Sequence, residues 1–86
     1  MDFAGKNVFV TGAGGYIGSF TAKEFAARGA KVAVFDRNAE GVEKTVGEIN
    51  AAGGTAIGVT GDVTSSASVD EAVKNAAERM GGLDIM

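Results

Sequence analysis

A glycine-rich run at residues 11–18, Thr-Gly-Ala-Gly-Gly-Tyr-Ile-Gly, contains residues that could bind an anion. Gly12 would allow a tight turn, and Gly14 or Gly15 would let the backbone approach a pyrophosphate without a Cβ in the way. Gly18 would allow a helix to pack closely on a strand, and the free amides at the start of that helix would bind the negative charge. The run lacks the Gly-Lys-Ser/Thr ending of a P-loop. It therefore predicts a dinucleotide site, with an ordinary tight turn as the alternative.

An acidic residue, Asp36, follows the next hydrophobic run. A carboxylate at the end of a second strand can accept hydrogen bonds from both hydroxyls of an adenosine ribose. The same charge would repel a 2′-phosphate, which favours NAD over NADP, and neither Gly14 nor Gly15 carries a basic side chain to hold that phosphate. Arg37 argues the other way, because its guanidinium could pair with a phosphate if Asp36 swung away. The alternative for this segment is a solvated turn that caps the next helix.

A second acidic residue, Asp62, ends the third apolar run and is followed by Val63. In a parallel sheet this position lies beside the adenine end of a nucleotide bound across the first two strands. Asp62 could accept from the adenine amino group while Val63 packs on the ring. The alternative is a polar strand terminus that helps to start the next helix.

The composition excludes several classes of chemistry. The chain has no cysteine and no histidine, which removes disulfides, thiolate nucleophiles and the commonest zinc ligands. Its net charge is -3, from 8 basic and 11 acidic residues without a basic cluster, which argues against nucleic-acid binding. No apolar stretch is long enough to span a bilayer, and no signal sequence begins the chain, so we expect a cytoplasmic protein that does not bind membranes.

Alternating hydrophobic patterns predict the elements that position these residues. Short β-branched runs predict strands at residues 7–11, 31–36 and 55–60. Stripes with helical spacing predict helices at 16–28, between Asn38 as N-cap and the glycines at 53–54, and up to the glycines at 81–82. In the last helix Ser68 and Glu71 fit a capping box, and residues 83–86 begin a fourth strand.

This alternation predicts an α/β fold of one domain over residues 1–86. Crossover helices force neighbouring strands to be parallel, so the chain should form a three-layer Rossmann-type half with strand order 3-2-1. We assign the larger apolar side chains to the core. These side chains are Phe9, Phe20, Phe25, Phe35 and Met80.

Four segments, in this order, resemble the N-terminal, cofactor-binding part of a short-chain dehydrogenase/reductase. They are residues 5–18, 34–37, 61–64 and 82–85, so the resemblance covers nearly the whole chain. It implies an oxidoreductase that interconverts a secondary alcohol or keto sugar and its ketone with NAD. It also implies three subsites for the dinucleotide. Asp36 and Arg37 would contact the adenosine ribose, and Asp62 and Val63 would contact the adenine. The pyrophosphate site would be formed by Gly12, Gly14, Gly15, Tyr16, Ile17 and Gly18.

The glycine spacing departs from the single-domain branch of that family, which has Thr-Gly-x-x-x-Gly-x-Gly. Here Tyr16 occupies the middle glycine position, and the glycines fit Thr-Gly-x-x-Gly-x-x-Gly. That spacing is typical of the extended branch, which contains nucleotide-sugar epimerases and dehydratases. The segments after the loop resemble the single-domain branch, so an alcohol or keto-sugar dehydrogenase is the favoured interpretation and the extended branch is the alternative.

The family's catalytic serine and Tyr-x-x-x-Lys are not found in these 86 residues. The one tyrosine, Tyr16, has Phe20 four residues later, so no lysine is placed to lower the pKa of its phenol. We therefore expect the chain to be a truncated cofactor-binding portion without activity of its own. A non-catalytic nucleotide-binding or assembly module is a further alternative. The uncovered edge of the first strand predicts a homo-oligomer.

Overall fold

The structure is a computed structural model that describes residues 4–62 and 64–84. Three strands alternate with three helices, as the hydrophobic pattern predicts. The elements are β1 Asn7–Thr11, α1 Tyr16–Ala27, β2 Lys31–Asp36, α2 Ala39–Ala51, β3 Thr55–Thr60 and α3 Ser66–Met80.

The strands form one parallel sheet in the order β1-β2-β3, which confirms the predicted order 3-2-1. Asn7 is paired with Lys31, and Lys31 with Thr55, so the strands start at one edge of the sheet. Their carboxyl ends consequently meet at the opposite edge. In a parallel sheet of this kind, ligands bind at that carboxyl edge.

Two apolar clusters cover the two faces of the sheet. Val8, Val10, Val32 and Val34 point to the face covered by α1 and α2. Phe9, Ala33 and Phe35 alternate with them and point to the face covered by α3. The rings of Phe9 and Phe35 lie 5.4 Å apart, and both are buried, as predicted. Phe25 and Met80 are partly buried against these clusters.

The core assignment of Phe20 was wrong, because 64% of this residue is exposed. Ala22 is the fully buried residue of α1. Phe20 precedes Ala22 by two positions, which places it about 200° around the helix axis, on the far side from the sheet. Ile17, in the first turn of α1, is also exposed, at 78%.

The N-terminal cap of α3 also differs from the prediction. The cap is Ser65, whose hydroxyl accepts from the amide of Ser68 at 3.2 Å. The capping box of Ser68 and Glu71 was therefore wrong, since the helix begins at Ser66, before Ser68. Asn38 caps α2 as predicted and accepts from the Gly41 amide at 3.2 Å.

The C-terminal segment lies beside the start of β1. The Asp84 amide donates to the Asn7 carbonyl at 2.8 Å, and the Asp84 carboxylate accepts from the Asn7 amide at 2.8 Å. The Asn7 side chain donates to the carbonyls of Met80 and Gly82. The last two residues of the predicted fourth strand, 85 and 86, lie outside the described residues.

Candidate functional site

The loop between β1 and α1 is a tight turn, as the glycine run predicts. Gly12 has a φ of +67°, in the left-handed region that favours glycine. The Gly15 amide donates to the Gly12 carbonyl at 3.1 Å, and the Ala13 amide donates to the Phe35 carbonyl at 3.0 Å. The turn is thereby attached to the carboxyl end of β2.

Gly18 allows α1 to approach this turn closely, again as predicted. A Cβ at Gly18 would fall well inside contact distance of the Gly12 carbonyl oxygen and 3.0 Å from the Ala13 Cα. A larger residue would therefore push the start of α1 away from the loop.

The N-terminus of α1 is open at the carboxyl edge of the sheet. Its cap residue is Gly15, and among residues 4–62 and 64–84 no side chain caps this helix. The amides of Tyr16, Ile17 and Gly18 lie in the first turn, where no intrahelical acceptor is available. Tyr16 is 90% exposed, so the first turn carries a partial positive charge at the surface.

The carboxylate of Asp36 lies against the loop. Its Oδ2 accepts from the Gly14 amide at 3.1 Å, and its Oδ1 accepts from the Asn38 amide at 3.1 Å. A Cβ at Gly14 would lie 3.0 Å from the Asp36 Cβ, so only glycine allows this approach without displacement. The structure thus brings together two features that the sequence places far apart.

A cleft of about 320 Å³ opens between the loop and the ends of β2 and β3. It is lined by Gly12, Asp36, Arg37, Asp62 and Thr64, four of which are predicted binding residues. Larger grooves of about 460 and 470 Å³ contain none of the predicted binding residues, whereas a groove of about 380 Å³ is lined by Gly14, Gly15 and Tyr16. The smaller cleft is the better candidate because polar groups from three chain segments meet in it.

Asp62 has local hydrogen-bond partners at the end of β3. Its Oδ1 accepts from the Thr64 amide at 2.9 Å and from the Thr64 hydroxyl at 2.7 Å. The hydrogen bond from the Thr64 amide lowers the pKa of Asp62 most, followed by the hydrogen bond from the Thr64 hydroxyl. The charge of Arg37 also lowers this pKa, but less. The Asp62 amide donates to the Ser68 hydroxyl at 3.0 Å, so the residue also serves the start of α3. Val63, the predicted adenine contact, lies outside the described residues.

Two residues of α2 that the sequence analysis did not select also contact the loop. The Thr45 hydroxyl donates to the Ala13 carbonyl at 2.9 Å, and only 2% of Thr45 is exposed. Gly41 packs so closely on Gly14 that an added Cβ would lie 3.0 Å from the Gly14 Cα. A signal for Thr45 was present, since this polar residue shares the helix face of Val42 and Ile49.

Residues 4–62 and 64–84 contain no group of three or more acidic side chains that could hold a metal ion. None of the helices described is long and apolar enough to cross a bilayer.

Comparisons with known proteins agree with this geometry. A family model described as short chain dehydrogenase matches residues 6–86. The chain is 45% identical over 80 residues to a 2,5-dichloro-2,5-cyclohexadiene-1,4-diol dehydrogenase of Sphingobium indicum, covering 93% of the chain and 32% of that protein. The chain thus spans about a third of the length of this curated relative.

Solved structures with this fold include a dehydrogenase and a reductase. A hydroxysteroid dehydrogenase from Escherichia coli superposes with a TM-score of 0.93 at 37% identity, over 96% of this chain and 35% of that one. A 3-ketoacyl-(acyl-carrier-protein) reductase from Brucella melitensis, complexed with NADH, superposes with a TM-score of 0.86 at 41% identity. The match covers 95% of this chain and 33% of that one.

Proposed function

The chain belongs to the short-chain dehydrogenase family of oxidoreductases, and on this premise we propose that it binds NAD in preference to NADP. The family uses nicotinamide dinucleotides, and a structural neighbour is complexed with NADH. In the proposed complex the first turn of α1 holds the pyrophosphate, Asp36 holds the adenosine ribose, and Asp62 with Val63 lies beside the adenine.

The observation that carries this proposal is the position of Asp36 against the glycine loop. The carboxylate lies within hydrogen-bond distance of the Gly14 amide and lines the same cleft as Gly12. The open first turn of α1 begins two residues after Gly14, at Tyr16. The first turn of α1, which can bind an anion, therefore adjoins a carboxylate that can accept hydrogen bonds from ribose hydroxyls. An adenosine diphosphate requires these two groups side by side.

The same contacts support NAD over NADP. Accommodating a 2′-phosphate would require the Asp36 carboxylate to move, and that movement would break its hydrogen bonds to the Gly14 and Asn38 amides. A carboxylate held in place beside the ribose consequently favours two free hydroxyls. Arg37, whose guanidinium could pair with a 2′-phosphate, lines the same cleft and is the residue that opposes this preference.

We further propose that the chain is the dinucleotide-binding portion of an enzyme that interconverts a secondary alcohol or keto sugar and its ketone. The bound nicotinamide would supply the hydride acceptor, and the residues described here would bind and orient the dinucleotide. Support comes from the names of the relatives, a diol dehydrogenase and a hydroxysteroid dehydrogenase. The Tyr-x-x-x-Lys motif expected for proton transfer does not occur in this sequence.

A homo-oligomer remains part of the proposal. Among the described strands, β1 lies at one edge of the sheet. On the side away from β2, Asp84 is hydrogen-bonded to Asn7 at the start of β1. An edge strand of this kind can pair with a second copy. Light scattering at several concentrations would test this, since a monomer throughout would contradict it.

Calorimetric titration of the chain with NAD and with NADP tests the cofactor proposal. We expect binding of both dinucleotides, with a lower Kd for NAD. Adenosine diphosphate should also bind, because the proposed contacts are to this half of the molecule. Failure of every ligand to bind, or a lower Kd for NADP, would refute the proposal.

A further inference from the structure

One peptide unit of the glycine loop, between Ala13 and Gly14, is hydrogen-bonded at both ends. Its carbonyl accepts from the Thr45 hydroxyl at 2.9 Å. Its amide donates to the Asp36 carboxylate at 3.1 Å. The carbonyl and the amide of a trans peptide point in opposite directions, so the two bonds together specify one orientation of this unit.

Glycine makes this orientation easy to lose. A rotation of this peptide plane by about half a turn changes the ψ of Ala13 and the φ of Gly14 by similar amounts, and glycine tolerates a φ on either side of zero. The rotated unit would direct its carbonyl oxygen at the Asp36 carboxylate, and both hydrogen bonds would be broken. A fixed partner for the Ala13 carbonyl is therefore needed to keep the Gly14 amide directed at Asp36.

Thr45 is suited to be that partner. It is buried in α2, and its β-branched side chain has few rotamers in a helix. The start of α2 is attached to the same carboxylate, because Asn38 donates to Asp36 Oδ1 and accepts from the Gly41 amide. The close approach of Gly41 to Gly14 completes this contact between α2 and the loop.

We propose that Thr45 is a positioning residue for cofactor discrimination: its hydroxyl fixes the Ala13–Gly14 peptide, and the Gly14 amide in turn orients the Asp36 carboxylate toward the ribose. The discrimination part of this inference rests on the proposed function. Thr45 itself contacts no cofactor in this arrangement. Its effect reaches the ribose through the peptide and the carboxylate.

The test compares Thr45→Val with Thr45→Ser. Valine keeps the shape of threonine without the donor, whereas serine keeps the donor. The matched control is Asn50→Ala, which removes side-chain hydrogen bonds between α2 and Ala56 at the opposite end of the helix. All variants are made in the whole chain and are first examined without cofactor.

The first measurement is amide hydrogen exchange at Gly14 by NMR. In the unaltered chain the Gly14 amide should exchange more slowly than the Ile17 amide, which has no intrahelical acceptor. Thr45→Val should abolish this protection, and Thr45→Ser and Asn50→Ala should retain it. Equal exchange at Gly14 and Ile17 in the unaltered chain would overturn the inference, even if the valine variant did not fold.

The second measurement is the Kd for NAD and for NADP. Thr45→Val should raise the Kd for NAD roughly fivefold, the effect of about one hydrogen bond, and should change the Kd for NADP less. Thr45→Ser should restore the ratio, and Asn50→Ala should leave it unchanged. A ratio that is the same in all variants overturns the role in discrimination. A chain that binds neither dinucleotide refutes the proposed function, and the Gly14 exchange then decides the peptide orientation alone.

Discussion

The amide of Gly14 donates a 3.1 Å hydrogen bond to the carboxylate of Asp36, across 22 positions of sequence. The glycine loop and the acid at the end of β2 are therefore physically joined. A change to either residue should affect the other. Because of this hydrogen bond, we expect substitutions at two neighbouring glycines of the loop to have different effects on cofactor binding, although the sequence alone would treat them as equivalent.

Replacement of Asp36 by alanine should weaken NAD binding by about 1.5 to 3 kcal/mol, the usual loss for hydrogen bonds to a charged group. NADP binding should weaken less, because the repulsion between the carboxylate and the 2′-phosphate is removed as well. Calorimetric titrations with both dinucleotides measure this difference. Asp70→Ala, at an exposed position of α3, changes the net charge equally and serves as the control. An unchanged NAD/NADP ratio would count against a ribose role for Asp36.

Alanine substitutions at Gly14 and Gly15 should have different effects. A Cβ at Gly14 lies 3.0 Å from the Asp36 Cβ and 3.1 Å from Oδ2, so it displaces the carboxylate. A Cβ at Gly15 lies 3.4 Å from the Gly12 carbonyl oxygen and touches no part of Asp36. We expect Gly14→Ala to reduce the preference for NAD and Gly15→Ala to preserve it. Equal ratios in the two variants would show that the carboxylate does not sense the loop.

The features that the sequence predicted well are those set by local pattern. Each strand is built on a short run of apolar or β-branched residues, with polar residues such as Asn7, Lys31 and Asp36 at the strand ends, and the structure reproduces all three ranges. The proximity of Asp36 to the loop follows from the topology, since a right-handed crossover places the ends of β1 and β2 side by side.

The features that the sequence missed depend on tertiary geometry. Phe20 fits an apolar stripe in sequence, but the rotational position of α1 on the sheet, with Ala22 buried, turns it outward. Ser68 has the spacing of a cap, yet its hydroxyl accepts from the Asp62 amide because α3 begins earlier. The hydrogen bond from Thr45 to the loop depends on how closely α2 packs beside the end of β1, and no local sequence pattern encodes that distance.

Gly18→Ala should destabilise the fold, whereas Gly47→Ala should stabilise it. A Cβ at Gly18 overlaps the Gly12 backbone, and overpacking of this kind costs on the order of 1 to 3 kcal/mol. A Cβ at Gly47 meets no atom within 4 Å, and alanine in a helix interior is favoured over glycine by about 0.5 to 1 kcal/mol. Urea denaturation of both variants measures these free energies of unfolding. A stable Gly18→Ala variant would mean that α1 can move away from the loop.

The pH dependence of stability should contain a contribution from Asp62. The Thr64 amide and hydroxyl donate to this carboxylate, and Arg37 lies near it, which together lower its pKa below the ordinary value of 3.8. A depressed pKa in the folded state means that the charged form stabilises the fold. This contribution is complete above the pKa of the unfolded chain and is lost as the pH falls through the folded pKa.

Thr64→Val tests this contribution, because it removes the hydroxyl donor and keeps the backbone amide. The pKa of Asp62, followed by carboxyl ¹³C NMR, should rise toward its ordinary value in the valine variant and stay low in Thr64→Ser. The difference in free energy of unfolding between Thr64→Val and Thr64→Ser should be largest at neutral pH and should shrink as Asp62 becomes protonated. If the pKa of Asp62 is the same in both variants, the Thr64 hydroxyl does not stabilise the carboxylate, and Asp62 is then held charged by the backbone amide and Arg37 alone.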